Sequence, residues 1–336
     1  MERAPSIDFC IPAIGAGARY LDYLVANLLR TATHPGRIRI LVSHHTDEDR
    51  AAIEATACAA RIAKYVKVPA HENVMFAPSA NHSSAINALA ANCTADIIVV
   101  SDYDMAFLMP GWDVAIAGRV HGGGIDLFGV PYPPLALSQH FPKDSPLSWL
   151  SGVSLVKYQR MPNLSFLAMR RDLLATSFPE GRITSFDRYL AGGSLPFRVM
   201  NTRAIAIENQ IPMGLMQWLD TGYEIPEIIA RHGLRHEALS YRAIADQDAF
   251  TTVQPFARLD VIRQPEFFYL GGKPFLCHFK KGSMKAMDGT TVSLFDLFVA
   301  NVEGFLATRA PAAPPGEAPP RETPPRETPP RETMPA

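Results

Sequence analysis

Ala95-Asp96-Ile97-Ile98-Val99-Val100-Ser101-Asp102-Tyr103-Asp104 is the stretch from which the fold is read. Ile97 to Val100 contains no polar residue, which predicts a short strand covered on both faces, as in a parallel sheet between helix layers. Two carboxylates follow at once. Along an extended chain residues i and i+2 point the same way, so Asp102 and Asp104 are expected to face one ligand while Tyr103 turns back. Paired carboxylates at the carboxyl end of a strand suit a hard divalent cation with a preference for oxygen ligands. Such a cation also binds phosphate oxygens and neutralises charge on a departing nucleotide diphosphate. Alone, Asp-x-Asp is also the pattern of a solvated turn after a strand.

Upstream, strand-like and helix-like runs alternate. Ile7 to Ile11 reads as a strand, and Tyr20 to Arg30 as a helix with apolar residues at Leu21, Leu24, Val25, Leu28 and Leu29. Ile38 to Val42 predicts a second strand, and Asp47 to Ala63 a helix with an acidic first turn. Tyr65 to Val68 reads as a third strand and Ser79 to Ala91 as an Ala-rich helix. The pattern predicts an α/β single domain with a mostly parallel central sheet and helices on both faces. In such sheets ligands collect beyond the carboxyl ends of the strands.

Downstream, Val120 to Leu150 is rich in Gly and Pro and reads as loops and short strands. Leu164 to Met169 is strand-like, Phe186 to Ala191 helical, and Phe197 to Ile207 strand-like. From Ala310 the chain turns Pro-rich, with Pro-Pro-Arg-Glu-Thr three times between Pro319 and Thr333. That composition favours extended, solvated chain. The expected layout is a domain over residues 1–307 and a disordered tail over 308–336.

Composition narrows the function classes. With 32 basic and 33 acidic residues there is no basic excess to neutralise a nucleic-acid backbone, so a nucleic-acid partner is not expected. Cys10, Cys58, Cys93 and Cys277 lack any C-x-x-C spacing, which argues against a disulfide framework or zinc knuckle and favours a reducing compartment. Met-Glu-Arg-Ala-Pro-Ser has neither a basic n-region nor a long apolar core, and no apolar run approaches the ~20 residues of a membrane span. The expectation is a cytoplasmic protein without a transmembrane segment.

The order of these motifs resembles family 2-like glycosyltransferases of the GT-A fold. The helix Asn81-His82-Ser83-Ser84-Ala85-Ile86-Asn87 leads into Ala95-Asp96-Ile97-Ile98 and then the acidic motif, as in that family. Met109-Pro110-Gly111-Trp112 matches its usual continuation, and Ile7 to Pro12 its first strand with a terminal Pro. Asn163 to Arg171, ending in a basic pair, resembles a later segment, so the likeness spans roughly residues 6–200. It implies a metal-dependent, hexosyltransferase-type glycosyltransferase that moves a sugar from a nucleotide-diphosphate donor to a hydroxyl acceptor, whether glycan, lipid-linked or small molecule. The implied cofactor is Mn2+ or Mg2+.

By this resemblance Asp104 holds the metal, Asp102 contacts ribose or metal, and Pro12, Ala13, Asn81 and Tyr103 lie on the nucleotide-sugar side. The family's second strand ends in an acid that bonds the base. Here Ser43 and His44 stand in its place, and Asp47 is either a base contact or a helix N-terminal residue. The late acidic pair that supplies a general base is reduced to Asp187, preceded by Phe186; Asp220 and Glu224 are reserves. His278, in Phe275-Leu276-Cys277-His278-Phe279-Lys280-Lys281, is either a further metal ligand, as in some retaining members, or a core histidine. As a ligand it lessens the need for Asp187. Lys280 and Lys281 fit the diphosphate.

Other motifs fail on a missing partner. Gly15-Ala16-Gly17-Ala18-Arg19 lacks the third glycine of a dinucleotide fingerprint. It also opens like a sugar nucleotidylyltransferase, the alternative enzyme, but without that family's Pro and Lys. His121-Gly122-Gly123-Gly124 has no nucleophile elbow to serve. His34, His44 and His45 have no acidic or cysteine partner at ligand spacing and read as surface histidines. A non-catalytic nucleotide-sugar-binding protein is the remaining alternative.

Overall fold

The structure is a computed structural model of the chain, and it describes residues 5–71, 77–131, 161–184, 222, 225–242, 266–279, 283–285 and 291–308. β1 (Ile7–Pro12), β2 (Ile38–His44), β3 (Ile62–Lys67) and β4 (Ile97–Ser101) run parallel, with β1 between β2 and β4. β7 (Pro162–Arg170) pairs antiparallel with β4 and with β6 (Leu127–Pro131). β8 (His236–Ala238) closes the order β3-β2-β1-β4-β7-β6-β8. This is the α/β layout, mostly parallel and flanked by helices, that the sequence implied.

Every residue of β1 and of β4 is buried, because alternate side chains serve two separate cores. Phe9, Ile11, Ile97 and Val99 pack with Leu21, Leu24, Val25 and Leu28 of α1 (Ala18–Thr31). Cys10, Ile98 and Val100 pack with Ile86, Leu89 and Ala90 of α3 (Ala77–Ala91). Each such apolar side chain contributes ~2 kcal/mol on burial, enough to fix the strand's register against both helix layers. The one charge inside β1, Asp8, is fully buried and accepts from Thr94 N (2.6 Å) and Ala95 N (2.9 Å), with Arg39 Nε at 2.9 Å. It thereby ties β1 to the turn that enters β4.

Two local readings are corrected. The helix expected over Asp47 to Ala63 ends at Glu54 as α2 (Asp47–Glu54), a short helical turn covers Ala57–Arg61, and β3 starts at Ile62. A capping box pins the start, with Thr46 accepting from Asp49 N and Asp49 accepting from Thr46 N, but the helix buries only Ile53, and pairing with β2 claims Ile62 onward as strand. His44, read as a surface residue, is 2% exposed, its Nδ1 3.1 Å from Thr46 O. The helix read at Phe186, the strand read at Phe197 and the tail from residue 309 lie outside the described residues.

A second, four-stranded sheet decides the geometry at the end of β4. β5 (Met105–Phe107) pairs with β11 (Lys273–His278), which pairs with β10 (Glu266–Leu270) and through it with β9 (Ser240–Arg242). On its other side β5 is gripped by buried Asn27 of α1: Phe107 N donates to Asn27 Oδ1 (2.6 Å), and Asn27 Nδ2 donates to Phe107 O (3.1 Å). The helix Leu294–Ala307 packs Phe295, Phe298, Val302 and Phe305 against this sheet. The two sheets meet where β4 passes into β5, at residues 102–104.

Candidate metal centre

Asp102, Tyr103 and Asp104 form a turn between β4 and β5. The two carboxylates were expected to share a direction through strand alternation; here a turn accomplishes it. Asp102 N is held by Ser165 O of β7 (2.9 Å), and Asp104 O accepts from Phe279 N (2.8 Å). Between these anchors Tyr103 turns inward, 8% exposed, with its ring against Gly17 and 6.4 Å from the Tyr20 ring. A Cβ built at Gly17 would lie 2.6 Å from the Tyr103 ring, so the close approach requires glycine there.

The β5–β11 ladder places His278 opposite Met105, and hence beside Asp104. His278 Nε2 is 3.3 Å from Asp104 Oδ1 and 3.8 Å from Asp102 Oδ2. One ligand atom from each of Asp102, Asp104 and His278 lies within 4.8 Å of the others. Behind the cluster, His278 Nδ1 is 3.1 Å from Glu266 Oε2, and on the far side His82 Nε2 is 3.3 Å from Asp102 Oδ1. Asp104, Glu266 and the His278 ring are nearly sealed from solvent, while Asp102 is partly open.

Burial opposes the imidazolium form of His278. The charge of Asp104 and hydrogen bonds to Asp104 and Glu266 outweigh burial and raise its pKa from 6.5 to about 10. Protonated, the ring balances the buried carboxylates; neutral, its Nε2 is a ligand beside two carboxylate oxygens. Two oxygens and one imidazole nitrogen, aimed at one point and held by partners behind them, are a donor set that a divalent cation fits.

Of the remaining residues read from the sequence, Pro12, Ala13, Asn81 and Asp47 are among the described ones. Pro12 ends β1 next to β4, and Ala13 after it is buried. Asn81, on α3, spends its Oδ1 on His71 N (2.6 Å). Asp47 sits in the first turn of α2 with a 79% exposed side chain paired to Lys67 (2.7 Å). It is Asp49 that reaches the glycine loop, accepting from Gly15 N at 2.6 Å. Asp187, Lys280 and Lys281 lie outside the described residues. Sequence reasoning did not single out Glu266 or His82. Glu266 left a signal only as an acid opening the apolar strand Glu-Phe-Phe-Tyr-Leu, and His82 only as a polar residue beside Asn81.

No protein-family model and no curated protein matches the chain. Among solved structures it is similar to the mannosyltransferase PcManGT from Pyrobaculum calidifontis in complex with GDP-Man and Mn2+, at 12% identity over 70% of this chain and 55% of that one, with a TM-score of 0.41. It is also similar to S. aureus TarS in complex with UDP, at 13% identity over 57% of this chain and 53% of that one, TM-score 0.37. For TarS with UDP-GlcNAc the identity is 10%, over 51% of this chain and 47% of that one, TM-score 0.34. The chain thus spans about half the length of the solved chains it matches. At these identities and scores the likeness bears on neither substrate nor mechanism. Among the described residues no helix is long and apolar enough to cross a membrane.

Proposed function

We propose that the chain is a glycosyltransferase that moves a sugar from a nucleotide-diphosphate donor to a hydroxyl acceptor, using a divalent cation held by Asp102, Asp104 and His278. The observation that carries this reading is the convergence of those three side chains, within 4.8 Å, where β4 ends. The mixed oxygen and nitrogen set favours Mn2+ over Mg2+, whose preference is for oxygen alone. A cation there neutralises the charge that develops on the departing nucleoside diphosphate.

The chain's own residues do the rest. Asp104 and His278 would hold the cation from buried positions, and Asp102, partly open, would face both the cation and the donor. Pro12 and Ala13 floor the nucleotide, and Lys280 and Lys281 serve the diphosphate. Asp187 accepts the proton of the acceptor hydroxyl as its oxygen bonds to the anomeric carbon and the diphosphate oxygen departs. Four free cysteines, all buried, fit a reducing compartment such as the cytoplasm.

The test is release of nucleoside diphosphate from a panel of nucleotide sugars with Mn2+ or Mg2+. Expected is cation-dependent release that a chelator stops and Asp104→Ala abolishes, with the variant's circular dichroism unchanged. Full activity in Asp104→Ala would overturn the metal role, and pyrophosphate release from a nucleoside triphosphate and sugar phosphate would replace the transferase by a nucleotidylyltransferase.

A further inference from the structure

Asp102 stands between two histidines, one on each carboxylate oxygen. Oδ2 lies 3.8 Å from His278 Nε2, and Oδ1 lies 3.3 Å from His82 Nε2 of α3. Among the described residues these two rings are the side chains within ion-pair reach of its carboxylate. His82 does not belong to the converging set itself. The ligand atoms of Asp102, Asp104 and His278 lie within 4.8 Å of one another, and His82 falls outside that group. An ion seated among those three is therefore approached by His82 through Asp102.

The two aspartates are held unequally. The Asp104 side chain is 5% exposed, whereas that of Asp102 is 24% exposed. A carboxylate open to water samples several torsions, and a cation that binds it must arrest them at an entropic cost. A partner on the outer oxygen lowers that cost only if the partner is itself fixed. His82 meets this condition, because the helix turn that carries it is pinned on either side. Asn81 Oδ1 accepts from His71 N at 2.6 Å, and Ser84 Oγ is 2.8 Å from His71 Nε2. Ser83 Oγ donates to Thr184 Oγ1 at 3.4 Å, and Asn87 Nδ2 donates to Thr184 O at 2.7 Å. Further along, α3 buries Ile86, Leu89 and Ala90 against β4. The His82 ring, 26% exposed, thus projects from a fixed backbone to the open side of the centre.

We propose that His82 is a positioning residue of the metal centre: it donates from Nε2 to Asp102 Oδ1 and so turns Oδ2 toward the cation before the cation arrives. Carboxylates that ligate metals are commonly hydrogen-bonded on the far side, and losing such a partner lowers metal affinity by about tenfold to a hundredfold. This inference rests on the proposed cation site at Asp102, Asp104 and His278, and it extends that site to a side chain that does not touch the ion.

Calorimetric titration of the full chain with Mn2+ tests it. His82→Leu keeps bulk and removes the donor, and is expected to weaken binding about tenfold or more. His82→Ala, also without a donor, serves if the leucine variant does not fold. His82→Gln is expected to restore most of the affinity, because its amide N–H can reach the same oxygen. Pulsed EPR of the bound Mn2+ is expected to show one directly bound nitrogen in the wild type and in His82→Leu, and none in His278→Ala. Wild-type affinity in the donor-free variants, an equal loss in His82→Gln, or a second bound nitrogen that His82→Leu removes would each overturn the proposal. A wild type that binds no Mn2+ would overturn the cation site and this inference with it. Binding that Asp104→Ala abolishes but His82→Leu leaves alone would overturn this inference and spare the site.

Discussion

Glu266 and His278 face each other across the β10–β11 hairpin, with Oε2 of the acid 3.1 Å from Nδ1 of the ring. That contact leaves Nε2 as the ring atom turned to Asp104 and Asp102, so the carboxylate selects which nitrogen is offered to a cation.

Replacing Glu266 by Gln keeps the shape and removes the charge. The expected outcome is Mn2+ affinity lower by about tenfold to a hundredfold, the usual effect of losing such a supporting partner, with little change in fold. Calorimetry with Mn2+ measures it, and ¹⁵N chemical shifts of the His278 ring report the tautomer directly. Unchanged affinity with an unchanged tautomer would remove Glu266 from the site.

The metal-free protein should carry a pH signature of His278. Its folded pKa is raised from 6.5 to about 10, so its interactions stabilise the fold fully below 6.5 and are lost as pH rises toward 10. In chelator, the gap in Tm between wild type and His278→Gln is therefore expected to be widest near pH 6 and to shrink through about pH 10. Because Mn2+ must displace that proton, metal affinity is expected to rise over the same interval. A gap independent of pH would contradict the ion cluster.

Gly17→Ala is expected to disturb the centre from the outside. Its methyl would sit 2.6 Å from the Tyr103 ring, and relieving the clash moves the residue between the two aspartates. The expectation is a stability loss of ~1–3 kcal/mol, typical of overpacking, together with weaker Mn2+ binding. The double variant Gly17→Ala/Tyr103→Ala should regain stability relative to Gly17→Ala; chemical denaturation of the three proteins decides.

Much of the frame was legible locally. Ile97 to Val100 is apolar on both faces and became a central strand, and the spacing of Leu21, Leu24, Val25 and Leu28 became the buried face of α1. The acidic pair was visible as well, since its position right after a buried strand is a property of consecutive residues. Where two local signals competed, the local reading failed: the Ala-rich stretch after Glu54 looks helical, but pairing with β2 claims Ile62 onward as strand.

By itself the sequence determined which runs are buried, the direction of the parallel core and the carboxylates at its edge, because periodicity and polarity act between near neighbours. Tertiary structure decided what those carboxylates meet. His278 arrives through the β5–β11 pairing, and Glu266 through a register that local pattern does not contain. Gly271 and Gly272, both at positive φ, turn the hairpin and pair Leu270 with Lys273, a register that would set Glu266 against Cys277. A bulge between Phe268 and Tyr269 shifts it by one residue and sets Glu266 against His278 instead. A one-residue slip exchanges the faces of a strand, so the choice of partner depended on how the second sheet packs as a whole.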